Sequence, residues 1–197
     1  MINKGDEPFM AKRDTKELIM NSFRKLVKTK SIDEVTVREI SYNCGITPQT
    51  FYKYYSDKFN LVFCVYRERV DMIFNEYNDG KITWKEVISL YIEGFRENSK
   101  FVIDAFNKMR GQDSYIDITT AYIVKNIKSC LMKKKNIDKL PDEYDYVIGF
   151  YAGGITYAIR KWLERGMTIS EDEFAGYIAS SVPKKLVDYY YEDREPD

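Results

Sequence analysis

One stretch built around a glycine, residues 36–61, constrains the fold of this 197-residue chain more than any other part of it. Thr36 is a good N-cap for a short helix whose apolar residues share one face. Gly45 follows that helix at the point where a left-handed residue, which glycine adopts cheaply, ends many helices. Thr47 and Pro48 are the cap and first residue of a second short helix. This pattern predicts a helix-turn-helix, the unit that lays its second helix in the DNA major groove.

The second short helix carries side chains suited to nucleic acid. Gln49 and Thr50 are short polar groups that reach base edges in a major groove. Tyr52, Lys53 and Tyr54 supply hydroxyl groups and a cation for phosphate oxygens. The same spacing also fits an ordinary helical hairpin whose tyrosines are half-buried packing residues. The spacing alone therefore leaves both interpretations open.

The run from Ile46 to Leu61 resembles the recognition-helix pattern of the TetR/AcrR family of bacterial transcriptional regulators. The positions that match this pattern are Ile46, Thr47, Thr50, Phe51, Tyr52, Tyr55, Lys58 and Leu61. Upstream positions that match the first two helices of the family are Ile19, Phe23, Leu26, Val35, Thr36, Val37, Ile40 and Gly45. The resemblance covers about the first third of the chain, and it implies a DNA-binding regulator rather than a simple hairpin.

The resemblance also implies which residues contact DNA. They are Thr36, Arg38, Thr47, Pro48, Gln49, Thr50, Tyr52, Lys53, Tyr54 and Lys58. Of these, Thr36, Tyr54 and Lys58 are expected to hold phosphates, and Arg38 to reach a guanine edge. A single short recognition helix makes few contacts, so we expect a homodimer on a palindromic double-stranded operator.

Composition excludes several other classes of protein. The chain has no histidine, which removes histidine-based acid–base catalysis, Ser-His-Asp triads and the usual zinc sites. With no nucleotide-binding loop and no metal cluster visible, we expect neither an enzyme nor a cofactor. Three scattered cysteines, Cys44, Cys64 and Cys130, are typical of reduced thiols in a cytoplasmic protein. No apolar run approaches the roughly 20 residues that span a bilayer, so no membrane contact is expected.

Charge and periodicity predict an all-α protein with a basic N-terminal part. Residues 1–60 hold 11 Lys/Arg against 8 Asp/Glu, whereas the remainder holds 20 against 23. We predict a disordered leader over residues 1–10, a three-helix helix-turn-helix domain over 11–60, and a helical ligand-binding and dimerisation domain over 61–197. The first helix is expected from about Asp14, and Pro183 should kink or divide the last one.

Aromatic residues between Trp84 and Tyr157 are abundant enough to line a ligand cavity. The tentative pocket residues are Trp84, Tyr91, Phe95 and Tyr122. A void of roughly 300 Å³ or more would favour a small-molecule effector, whereas a packed core would favour control by a protein partner. The resemblance implies a repressor that a small effector releases, with an activator or a partner-controlled regulator as the alternative.

The helix predicted over Asp142–Arg165 carries small residues on one face. Gly153 lets another helix approach closely, either within the chain or across a dimer. The resemblance implies a dimer interface formed by this helix and the last one, Ser170–Tyr191. The tentative interface residues are Gly153, Tyr157, Trp162, Ile178 and Val182.

Overall fold

The computed structural model describes residues 7–109 and 114–191, which form ten helices and contain no strand. The helices are α1 (Glu7–Leu26), α2 (Val37–Asn43), α3 (Pro48–Tyr52), α4 (Lys58–Asn78), α5 (Trp84–Glu97), α6 (Ser99–Lys108), α7 (Tyr115–Lys135), α8 (Glu143–Glu164), α9 (Glu171–Ser180) and α10 (Lys184–Tyr191). The predicted all-α class is confirmed. Of the described helices, none has the length and apolar character required to cross a membrane.

The first helix begins at Glu7 rather than near Asp14. Pro8 lies in its first turn, where the missing N–H group costs no hydrogen bond. Residues 7–10, predicted as part of a disordered leader, belong to this helix, and residues 1–6 lie outside the described part. The helix ends at Leu26, whose carbonyl accepts bonds from the backbone N–H groups of Thr29 and Lys30.

Two compact units make up the chain, residues 1–65 and 66–197. In the first unit, Phe23, Ile40 and Phe51 are fully buried and come one each from α1, α2 and α3. The Ser22 hydroxyl donates a 2.8 Å hydrogen bond to the carbonyl of Ile40. This bond satisfies a buried polar group and fixes α1 against the helix-turn-helix.

In the second unit, α5 packs mainly against α9, and α7 packs against α8. One face of α8 is buried throughout, with Ile148, Tyr151, Ile155 and Ile159 in the core. Spacings of three and four residues place these side chains on a single face of the helix. The opposite face of α8 is consequently left outside the core of its own chain.

Breaks between the later helices follow the predicted signals. Pro183 separates α9 from α10, because it lacks the N–H group that a continuous helix requires. Ser170 caps α9 by accepting from the N–H of Glu173. The Glu173 carboxylate accepts from the Tyr177 hydroxyl instead of completing a capping box with Ser170.

Candidate nucleic-acid interface

Local hydrogen bonds fix the helix-turn-helix. Thr36 accepts from the N–H of Glu39 at 3.1 Å, and the Glu39 carboxylate accepts from the N–H of Thr36 at 3.4 Å. Gly45 has φ +70°, the left-handed conformation expected at the end of α2. Thr47 caps α3 by accepting from the N–H of Thr50 at 3.1 Å. The two caps and the turn are thus formed by residues that are neighbours in the sequence.

Ion pairing keeps the α2 cap charged. The Lys30 ammonium contacts the Glu39 carboxylate, and the hydrogen bond from Lys30 holds the pKa of Glu39 below its ordinary value. A carboxylate in the first turn of α2 also suits the positive end of the helix dipole. Glu39 is therefore a structural residue and is not available to repel phosphate.

The predicted DNA-contacting residues lie on the exposed side of this unit, with three exceptions. Exposed side chains are those of Thr36, Arg38, Thr47, Pro48, Gln49, Tyr52 and Lys53. Half-buried side chains are those of Thr50, Tyr54 and Lys58. Phe51 is fully buried between these exposed positions and packs edge-on against Tyr52, with ring centroids 5.5 Å apart. One helix therefore anchors itself in the core and presents polar groups outward.

Three of the exposed side chains are chemically uncommitted. Arg38, Gln49 and Lys53 make no side-chain hydrogen bond or ion pair with any residue that the structure describes. Gln49 and Lys53, the C-cap residue of α3, lie four residues apart on one side of this helical turn. Thr50 differs, because its hydroxyl lies 3.0 Å from that of Thr47 and takes part in the cap. Its methyl group is the part left for a thymine methyl contact.

Lys58 has a different role from the predicted one. Its ammonium group donates to the carbonyl oxygens of Ile32, Asp33 and Val35 at 2.8, 3.1 and 3.0 Å. An ammonium has three protons, and all three are used here. In this conformation Lys58 has no proton left for a phosphate, and it clamps the loop before α2 to the start of α4.

Tyr42 is a candidate that the sequence prediction missed. Its side chain is 84% exposed, and it lies four residues after Arg38 on the same face of α2. The first helix of a helix-turn-helix crosses the DNA backbone, so a phenol there is placed for a sugar or phosphate contact. The four-residue spacing from Arg38, which was itself predicted to contact DNA, was the sequence signal that could have identified Tyr42.

The predicted ligand pocket is only partly assembled. Trp84 and Tyr91 line an apolar cavity, whereas Phe95 and Tyr122 do not. The cavity lining is Val70, Ile73, Phe74, Trp84, Val87, Ile88, Tyr91, Ile123 and Ile155. Its volume is about 20 Å³, which is room for about one water molecule and far below the 300 Å³ expected of a ligand site.

Tyrosine hydroxyl groups are paired beside this cavity. The hydroxyl oxygens of Tyr66 and Tyr91 lie 2.7 Å apart, and Tyr66 also donates to the carbonyl of Thr119 at 3.3 Å. Burial raises the pKa of both phenols, so they stay neutral. Tyr122 donates instead to the Asp71 carboxylate, while the Phe95 ring packs 4.8 Å from that of Tyr91. Phe95 and Tyr122 thus support the core around the cavity.

The predicted dimer residues fall into two groups. Gly153 is partly exposed and Tyr157 is 66% exposed on the outer face of α8. Trp162, Ile178 and Val182 are buried within their own chain, so they have little side-chain surface to offer a second copy. The indole of Trp162 stacks on the Phe174 ring at 4.9 Å, and its N–H donates to the carbonyl of Ile169.

Two exposed aromatic residues of α8 were not among the predicted interface residues. Tyr146 is 72% exposed and Phe150 is 80% exposed. With Gly153 and Tyr157 they recur at helical spacing along the face opposite the buried one. We call the face formed by Tyr146, Phe150, Gly153 and Tyr157 the outer stripe of α8.

Comparison with known structures shows a shared fold. A TetR-family transcriptional regulator from Streptomyces coelicolor is 14% identical, with 92% of this chain and 85% of that chain covered and a TM-score of 0.62. The dihydroxyacetone kinase operon activator DhaS is 19% identical, with 85% and 93% covered and a TM-score of 0.60. RolR in complex with resorcinol is 16% identical, with 95% and 96% covered and a TM-score of 0.53.

Sequence comparison identifies the family. No curated protein matches this sequence. A family model described as a transcriptional regulator C-terminal region, TetR_C_8, matches residues 82–184, which is more than half of the chain. With the helix-turn-helix in its first unit and the all-helical second unit, the chain belongs to the TetR family of transcriptional regulators.

Proposed function

We propose that this protein is a homodimeric regulator that acts in the cytoplasm and reads a palindromic operator through α3. The observation that supports the proposal best is the set of uncommitted polar side chains around the capped turn, Arg38, Gln49 and Lys53. Such groups are suited to guanine edges, adenine edges and phosphates respectively. Because α3 has only five residues, two copies on a two-fold site are needed to read enough base pairs.

The dimer is proposed to form through the outer stripe of α8. Large aromatic side chains exposed in a row on one helix mark a surface that another protein covers. Tyr146, Phe150 and Tyr157 are each more than 60% exposed. This assignment moves the interface away from the buried positions on α8 and α9 and onto the opposite side of α8.

For the mode of regulation, we propose that the protein is a repressor and that a small effector relieves the repression. RolR has the same fold and a structure with resorcinol, so a small aromatic molecule is a reasonable first effector class. In this chain α4 lines one side of the apolar cavity with Val70, Ile73 and Phe74. An effector must enlarge the cavity from about 20 Å³ to roughly 300 Å³. To lower operator affinity tenfold, it must bind the enlarged state better by about 1.4 kcal/mol.

A second form of control is supported by the size of the cavity. A core this well packed is what we expected for a regulator controlled by a protein partner rather than by a ligand. Activation also belongs here, since DhaS shares the fold and is an operon activator. In the conformation described, the small volume of the cavity favours control by a protein partner over control by a ligand.

Fluorescence anisotropy with duplexes from the regions flanking the gene tests the proposal. We expect saturable binding of at least one duplex, with affinity that falls as salt rises. Binding that does not distinguish these duplexes from random DNA would contradict it. Deleting the gene and measuring transcription of the adjacent unit then separates repressor from activator: transcription rises in the first case and falls in the second.

A further inference from the structure

A long side chain ties α4 to α5 in the second unit. The Arg69 guanidinium donates from Nη2 to the carbonyl oxygen of Leu90, in the interior of α5, at 3.1 Å. Glu93 and Glu97 follow along α5, with carboxylate oxygens 3.5 and 3.9 Å from the guanidinium nitrogens. Both carboxylates are about half exposed, and ion pairs of this kind contribute little to stability. The hydrogen bond to Leu90 is therefore the main polar contact of Arg69.

Gly94 makes room for this side chain on α5. A Cβ atom built on Gly94 would lie 3.2 Å from Nε of Arg69 and 3.5 Å from its Cζ, so the arginine would have to shift. Among the glycines that the structure describes, Gly94 is the only one whose Cβ position meets another atom within 4 Å. Glycine in the interior of a helix is unfavourable compared with alanine. The space that Arg69 needs is a physical reason for a glycine at this position.

One N–H group of the guanidinium is left unpaired. The Nε–H group of Arg69 is buried, yet it has no hydrogen-bond partner among the described residues. A buried donor without a partner is unfavourable, so this contact is weaker than that of a fully paired arginine. Such a contact holds a helix but opens at small cost, which suits a protein that changes conformation.

The boundary between the two units falls within α4, after Val65. Earlier in this helix, Leu61 and Val62 are fully buried and belong to the first unit. Arg69 lies in the first turn of α4 that belongs to the second unit, about two turns after Leu61. One helix therefore carries core residues of the DNA-binding unit and, shortly afterwards, the contact with α5.

We propose that Arg69 is a positioning residue for operator binding, which holds α4 on α5 through Leu90 and the space at Gly94. This role rests on the proposed function. The apolar cavity has room for about one water molecule, so the conformation described is that of the effector-free protein, which binds the operator in the proposed repressor. Arg69 does not line that cavity. Its contact thus acts on α4 apart from the cavity wall that an effector would touch.

Removing the guanidinium and filling the space at Gly94 test this role. Arg69→Met keeps the stem of the side chain and loses the bond to Leu90, whereas Gly94→Ala places a methyl group against Nε. The assay is fluorescence anisotropy with the labelled duplex that wild type binds best. Arg69→Met should raise the dissociation constant of the operator about tenfold, and Gly94→Ala about threefold. In the Arg69→Met background, Gly94→Ala should change it by less than about twofold, because no guanidinium remains to be displaced.

Arg165→Met and Gly176→Ala are the matched controls. Arg165 is exposed, and the Cβ position of Gly176 meets no atom within 4 Å. Both variants should keep operator affinity within about twofold of wild type. Urea unfolding followed by tryptophan fluorescence measures the stability of the second unit, which contains both tryptophans. Binding is compared under conditions in which circular dichroism shows each protein folded.

A merely structural role predicts a different result. Arg69→Met would then lower the urea midpoint and leave the operator affinity of the folded protein at the wild-type value, which overturns the proposal. Tighter operator binding by Arg69→Met also overturns it, as does an effect of Gly94→Ala that is equal with and without Arg69. If Arg69→Met does not fold, Gly94→Ala decides: weaker operator binding supports the role and unchanged binding overturns it. Wild-type protein that does not distinguish its duplexes from random DNA overturns the proposed function and this role together.

Discussion

Replacing Lys58 by methionine removes the clamp on the loop before α2 while keeping most of the side-chain stem. The ammonium donates to three carbonyl oxygens at distances from 2.8 to 3.1 Å. Two of them belong to Ile32 and Val35, whose side chains are buried, and the third belongs to the exposed Asp33. Water can hydrogen-bond the Asp33 carbonyl in place of the lysine, so the loss of stability comes mainly from the carbonyls of Ile32 and Val35.

The size of the effect follows from these contacts. A hydrogen bond to a charged group contributes about 1.5–3 kcal/mol, and the two bonds share one ammonium, so we expect a gross loss of about 2–4 kcal/mol. Removing a cation from the first turn of α4 returns about 0.3–1 kcal/mol, because the helix dipole disfavours a positive charge there. The free energy of unfolding of the N-terminal unit should thus fall by about 1–4 kcal/mol.

Urea unfolding followed by far-UV circular dichroism measures this loss. Both tryptophans, Trp84 and Trp162, lie in the second unit, so their fluorescence reports whether that unit is affected as well. Lys53→Met is the matched control. Lys53 is exposed and makes no ion pair among the described residues, so its loss should change stability by less than about 0.5 kcal/mol.

Salt dependence of operator binding supplies the second readout. The slope of log affinity against log salt should stay at the wild-type value for Lys58→Met, since no phosphate contact is lost. For Lys53→Met it should fall by about 0.9 per protomer for one phosphate contact. A Lys58→Met variant with wild-type stability and a reduced slope would refute the clamp and restore Lys58 as a phosphate ligand.

Three further predictions follow from single contacts. Tyr42→Ala should weaken binding to every sequence by about 1 kcal/mol in anisotropy titrations without changing the salt slope, because a neutral hydroxyl displaces no counterion; a wild-type affinity would exclude the contact. Trp162→Ala should cost about 3–5 kcal/mol of unfolding free energy in urea, as for other buried aromatics; a loss below about 1 kcal/mol would show that the stack on Phe174 is unimportant. Burial raises the pKa of the Cys130 thiol to about 11 from an ordinary 9.0. Between these values the unfolded chain releases a proton that the folded chain keeps, so stability should fall with rising pH by up to about 1.4 kcal/mol per unit. Comparing urea midpoints of wild type and Cys130→Ala from pH 8 to 10.5 isolates the contribution of the Cys130 thiol, and parallel curves would contradict this prediction.

Local signals were sufficient to predict the helix-turn-helix. The caps at Thr36 and Thr47, the left-handed Gly45 and the first-position Pro48 depend only on residues within four positions of one another. The role of Lys58 was not predictable in this way, because its acceptors lie 23 to 26 residues earlier in the chain. Only the folded unit brings those carbonyls together.

Apolar periodicity located the helices of the second unit but not the partners of their faces. α8 carries apolar residues on two opposite faces, so the sequence did not show which face is covered within the chain. Trp162 was predicted at the dimer interface although it stacks on Phe174, whereas Phe150 was counted among the aromatic residues of a possible ligand cavity although it is exposed. Likewise, Phe95 and Tyr122 are aromatic residues of the kind that line ligand sites. In the structure, however, Phe95 packs against Tyr91, and Tyr122 donates a hydrogen bond to Asp71.

In vitro selection from a random duplex library tests the central claim, which is sequence-specific DNA binding by a dimer through α3. Wild-type protein should enrich two inverted copies of one half-site. Gln49→Ala should relax the preference at one position in each half-site and cost about 1–3 kcal/mol there. Enrichment of no sequence, or of the same site with unchanged preference by Gln49→Ala, would contradict the account.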